Sequence, residues 1–116
     1  MLVGFSQGAG LVSTLSLRRP ELVCAVALLA GFIPRTVLKT YGAVAKEVRE
    51  RRAIMPKYFI AHGTKDEILP PSRASESQVA LEGFGAEVKL HLEDVGHKVG
   101  SKGMKAFQSW INEVLS

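Results

Sequence analysis

The chain holds a single cysteine, Cys24, so no intrachain disulfide can staple the fold. A lone thiol makes a reducing compartment, the cytoplasm, the expected location. Long hydrophobic runs are missing as well. The longest, residues 23–30, is too short to span a bilayer, which excludes a membrane span of that kind. The start MLVGFSQGAG has neither a basic leader nor a long apolar stretch, so no signal peptide is expected. Linkers, internal repeats and low-complexity segments are lacking too. No grouping of His, Cys and acidic residues has metal-ligand spacing and no cofactor motif is legible, so neither metal nor cofactor is expected.

What is present is an ordinary globular composition. With 116 residues, 47% of them hydrophobic and 22% charged, the chain suits one domain with a modest core. The net charge of +4 raises the question of nucleic acid. The one dense basic cluster, KEVRERR at 46–52, is interrupted by two glutamates and reads as a solvated helix face. No nucleic-acid partner is therefore expected.

Apolar segments of strand length alternate with helical patterns four times. Residues 1–5 (MLVGF) read as a strand and 7–18 as a helix stopped by Arg18, Arg19 and Pro20. The continuous run at 23–29 (VCAVALL) fits a parallel strand covered on both faces. AGFIP at 30–34 is a loop, and 35–52 is a helix weakened by Gly42. Residues 57–61 (KYFIA) form a third strand, HGTKDEILPP a loop, and 72–84 a third helix. Residues 87–93 (EVKLHLE) alternate strictly, with Val88, Leu90 and Leu92 inward and Lys89 and His91 toward solvent, as at a sheet edge. Ser101 can cap a last helix whose apolar face is Met104, Phe107, Ile111, Val114 and Leu115. The expected class is α/β, with four parallel strands alternating with helices.

In such sheets working residues gather on loops at the carboxyl ends of strands. Gly4-Phe5-Ser6-Gln7-Gly8 fits G-x-S-x-G at a strand-to-helix junction. There the serine sits strained at the tip of a tight turn, and glycines two residues to either side, Gly4 and Gly8, are expected to relieve collisions. A serine hydroxyl needs a base, and the base an orienting carboxylate. In the order Ser, acid, His, the chain offers Asp66 after the third strand and His97 after the fourth. Glu67 and Asp94 are the alternative acids. His62 precedes the acid and is expected to hold its turn through its ring nitrogens; His91 is expected on the solvent side of the last strand.

GFSQGAG, LLAGFIP, FIAHGTKDEILP and VGHKVG, in that order, resemble the phospholipase/carboxylesterase family of α/β-hydrolases, which includes carboxylesterases and acyl-protein thioesterases. The resemblance implies a serine hydrolase acting on a small-molecule carboxylic ester or acyl-thioester, with Ser6 as nucleophile, Asp66 as acid, His97 as base and Gln7 giving one oxyanion N–H. It spans nearly the whole chain but only about half of that family's fold. Residues 1–116 are thus expected to be the carboxy-terminal part of one α/β-hydrolase domain, lacking the amino-terminal strands. A homodimer, or a separately supplied amino-terminal half, is the expected partner. The segment 35–55 looks longer than the family's connection; it reads as a helix packed on the sheet, with a cap in which Leu38, Tyr41 and Val44 line an acyl pocket as the alternative. A non-catalytic fragment or interaction module that retains these motifs is the competing function.

Overall fold

The computed structural model describes residues 1–50 and 55–116, with the side chains of residues 43–50 outside that description. The basic cluster at 46–52 and Val44 fall outside it. The elements run β1 (Leu2–Phe5), α1 (Gln7–Arg18), β2 (Ala25–Leu29), α2 (Arg35–Glu50), β3 (Lys57–Gly63), α3 (Pro71–Gly83), β4 (Val88–Glu93) and α4 (Ser101–Leu115). The strands form one parallel sheet in the order β1-β2-β3-β4, in register Leu2 with Val26, Val26 with Tyr58 and Tyr58 with Val88. The expected alternation of four parallel strands with helices is the observed one.

The order of the strands explains the layering. Each strand lies beside the one before it, always advancing in the same direction. Right-handed crossovers then carry every connecting helix over the same face. Accordingly Ala9, Val12 and Leu17 of α1, Leu38 and Tyr41 of α2, and Ala74 and Leu81 of α3 pack with Leu2, Val26, Leu28, Tyr58 and Ile60 in one core. Leu38 and Tyr41 thus serve the helix packed on the sheet and not a cap. Only α4, which follows the last strand, returns to the other face, where Phe107 and Trp110 meet Ala25, Ala27, Leu29, Phe59 and Ala61. The Phe59 ring lies 5.6 Å from Phe107 and 5.5 Å from Trp110. Trp110 is the buried anchor of α4, whereas Met104 and Leu115, expected in its apolar face, are exposed.

Two further expectations need correction. His62 and Gly63 extend β3 by two residues and are not loop. On β4, Leu92 is exposed and His91 is half-buried with its Nε2 sealed from solvent, the reverse of the strict alternation. The reason is α4, whose Gly103 passes beside His91 and covers the face assigned to water. Lys89 remains exposed. Val26 is fully buried mid-sheet, so Val26→Ala should cost about 2 kcal/mol. Lys89→Ala should stay within about 0.5 kcal/mol. Equal costs in urea denaturation would contradict this placement of the strands.

Candidate active site

Because all four strands are parallel, the segments after β1, β2, β3 and β4 emerge at one edge. Ser6 sits alone between β1 and α1, with φ 56° and ψ −117°. A side chain in this sparsely populated region stores strain, and the only other described non-glycine residue with positive φ is Ala30, just after β2. Ser6 N–H is tied to the Leu29 carbonyl at 2.9 Å. A Cβ on Gly4 would collide with the Gly8 carbonyl, so that glycine is required by the close approach of helix to strand. Gly8 differs from expectation. A Cβ there meets nothing within 4 Å outside its own helix, because the position opens outward from the first turn. The second collision lies at Gly31, where a Cβ would come within 2.5 Å of the Ser6 carbonyl oxygen and 2.6 Å of the Ala9 Cβ. The AGFIP motif held this signal, but only as a loop. Gly8→Ala should therefore be neutral or raise stability by up to about 1 kcal/mol, through better helix propensity. Gly4→Ala and Gly31→Ala should displace the elbow. Thermal midpoints of the three variants check this order.

The three side chains predicted on separate loops meet. Ser6 Oγ lies 2.9 Å from His97 Nε2, and His97 Nδ1 lies 2.7 Å from Asp66 Oδ2. The carboxylate neighbour assigns the proton to Nδ1, which donates to Asp66 and leaves Nε2 to accept from the serine hydroxyl. Asp66 is buried. Burial alone would raise its pKa, but N–H bonds to Oδ1 from Leu69 at 2.8 Å and Ile68 at 2.9 Å, with the His97 bond, outweigh it. Together they hold the carboxyl below its ordinary value. The alternative acids are elsewhere: Glu67 is exposed, and Asp94 reaches Thr64 at 3.4 Å and Lys65 at 3.3 Å in solvent.

The loop holding His97, residues 94–100, is clasped twice. Thr64 N–H donates to the Glu93 carbonyl at 2.8 Å and Lys65 N–H to that of Val95 at 3.0 Å, joining it to the loop of Asp66. The Glu93 carboxylate then accepts from the N–H groups of Gly100 at 3.1 Å, Lys102 at 3.2 Å and Gly103 at 3.1 Å. This caps α4, in place of the expected Ser101, which is the helix's first residue. A side chain reaching over an intervening loop leaves no local capping pattern to read.

Ser6, Gln7, Gly10, Phe32, Pro34 and Leu69 line a mostly apolar hollow of about 230 Å³ beside the serine. Gln7 opens α1, so its N–H is one of the helix's free first-turn donors at the positive end of its dipole. The Phe5 ring flanks the His97 imidazole at 5.8 Å. A larger hollow, about 440 Å³ between Pro20, Cys24 and Met55, lies at the opposite end of the strands, away from this contact. Among the described residues, no three His, Cys, Asp or Glu side chains are grouped to hold a metal. No described helix is long and apolar enough to cross a membrane.

A parallel sheet with a strained serine between its first strand and helix, and a histidine and a carboxylate on later strand-end loops, is the arrangement of an α/β-hydrolase. The chain belongs to the Phospholipase/Carboxylesterase family, whose profile matches residues 1–115. It is similar to esterase PE8, at 28% identity and TM-score 0.76, covering 97% of this chain and 49% of that one. Acyl-protein thioesterase 2 of Zea mays shares the fold at TM-score 0.80 and 20% identity, over 98% of this chain and 55% of that one. Lysophospholipase-like protein 1 of Mus musculus is 23% identical over 112 residues, 96% of this chain and 45% of its own length. The chain thus spans about half the length of the relatives it matches.

Proposed function

We propose that this chain carries the catalytic end of a serine hydrolase that cleaves carboxylic esters or thioesters through an acyl-enzyme. The observation that supports the reading is the relay of Ser6, His97 and Asp66, with contacts of 2.9 Å and 2.7 Å. In this reading His97 takes the serine proton as Oγ attacks the acyl carbon. The imidazolium is stabilised by the Asp66 carboxylate, and the proton is returned to the leaving alcohol or thiol. Water then repeats the sequence on the acyl-serine. Gln7 N–H faces the developing oxyanion at the start of α1. The hollow beside Ser6, lined by Phe32, Pro34 and Leu69, suits an apolar acyl chain. Proton transfer needs the uncharged imidazole as acceptor. The reaction needs no metal or cofactor, and the exposed Cys24 fits the cytoplasm as the location.

We read the chain as the carboxy-terminal part of one hydrolase domain, since it covers about half of its solved relatives. The same fact favours the second reading, a non-catalytic fragment that keeps the site by descent. A fluorophosphonate probe separates the two. Covalent labelling located on Ser6 by mass spectrometry, and lost in Ser6→Ala, is the expected result. An unlabelled Ser6, or a probe found on another residue, refutes the nucleophile.

A further inference from the structure

We propose that His62 is a positioning residue for the acid of the relay, holding the Asp66 carboxylate in the rotamer that faces His97. The inference rests on the hydrolase reading for its meaning, but on its own geometry for its support. The His62 side chain is wholly buried at the end of β3. Its Nε2 lies 2.8 Å from the Leu69 carbonyl oxygen and 3.4 Å from Asp66 Oδ2. Both neighbours are acceptors, which assigns the proton to Nε2. Nδ1 is then a bare acceptor, and it is sealed from solvent with no partner among the described residues.

An orphaned buried nitrogen costs stability that an apolar side chain would avoid. What the imidazole gives in return is local. Leu69 is held from both sides, its N–H on Asp66 Oδ1 at 2.8 Å and its carbonyl on His62. The chain from His62 through Leu69 to Asp66 therefore closes on itself and fixes the carboxylate plane. The His62 ring also lies 3.4 Å from Oδ2, the oxygen that accepts from His97 Nδ1 at 2.7 Å, while its one N–H is given to the Leu69 carbonyl. The Leu69 N–H on Oδ1 and the His97 N–H on Oδ2 occupy both oxygens, so the direction of the carboxylate is set before any substrate arrives. Without the donor the Leu69 carbonyl is orphaned, the turn relaxes, and Asp66 loses its aim.

The test compares His62→Leu, which removes the donor, with His62→Gln, whose amide nitrogen can take the place of Nε2. Three quantities are read: the far-UV circular dichroism, the downfield NMR proton of His97 Nδ1–H, and the second-order rate of fluorophosphonate labelling at Ser6. The leucine variant should keep its secondary structure, lose or shift the downfield proton, and label about 10- to 100-fold more slowly, the usual effect of removing a supporting partner. The glutamine variant should recover most of both. If leucine does not fold, His62→Asn replaces it, since that amide is too short to reach the Leu69 carbonyl and should fail where glutamine succeeds. A leucine or asparagine variant with the wild-type proton and rate overturns the proposal, as does a glutamine variant that rescues neither. Absence of labelling in the wild-type chain would sink the hydrolase reading instead, and the downfield proton would still decide the role of His62.

Discussion

Ser6→Ala should lower ester turnover by about 10⁴-fold or more, and Asp66→Asn and His97→Ala should be comparably severe. In the proposed mechanism the three act as one relay, so the double variant Ser6→Ala/His97→Ala should be no slower than Ser6→Ala alone. The size follows from what each removal leaves. Without His97 the serine proton has no acceptor at 2.9 Å. With asparagine at 66, the Nδ1–H of His97 loses its charged acceptor, and the wrong tautomer is favoured. Hydrolysis of an aryl ester by the single and double variants checks both size and non-additivity. Losses that multiply would mean that the residues act in separate steps. Asp66 carries a second, acid-dependent signature. Its folded pKa is depressed, so its carboxylate contributes stability that is full above its unfolded value, about pH 4, and fades as pH falls through the lower folded value. The stability gap between wild type and Asp66→Asn should therefore narrow in strong acid. A gap in urea denaturation that stays constant from neutral pH into strong acid would contradict that assignment.

How far the sequence could be read followed the range of each interaction. The elbow is written within five residues, because a tight turn constrains its immediate neighbours. The alternation of strands and helices is likewise local, and so the sheet was legible in outline. Interactions that close over long loops were not. Glu93 caps a helix seven to ten residues further on, and Gly31 makes room for a turn a full strand and helix before it. His91 is covered against expectation because α4 crosses one end of β4, and nothing in EVKLHLE encodes where a later helix lies. His62 read as a loop residue holding its turn through its ring nitrogens; it is a buried strand residue, and the carbonyl it holds lies seven residues ahead.

On the proposed reading of the chain as part of a hydrolase domain, supplying the remainder should raise turnover about 10²- to 10³-fold, the usual worth of one oxyanion donor, and should give a one-to-one complex in place of self-association. The surface argues for it. β1 pairs with β2 alone among the described residues, leaving a row of N–H and C=O groups on its outer edge. On the face shared with α4, Met1, Val3 and Phe5 are 47%, 48% and 51% exposed, because the crossover helices all lie on the other side. Leu11 and Leu15, one turn apart on α1, are exposed as well. An apolar strand open along its edge and on one face invites pairing with another chain, a second copy included. The chemistry is equally one-sided. A tetrahedral oxyanion needs two donors, and in the proposed mechanism the Gln7 N–H at the start of α1 supplies one. A parallel strand added beside β1 would end at the same edge of the sheet as Ser6, where the loop after it could furnish the second. The experiment co-expresses residues 1–116 with the amino-terminal half of a related esterase, then measures mass by sedimentation and Ser6-dependent turnover of an aryl ester. Val3→Lys, which places a charge on the bare strand, should reduce both self-association and complementation. A monomeric chain with esterase-level turnover of its own, unaffected by the added half, would mean that a second donor already lies within these residues and that the edge of β1 is not an interface.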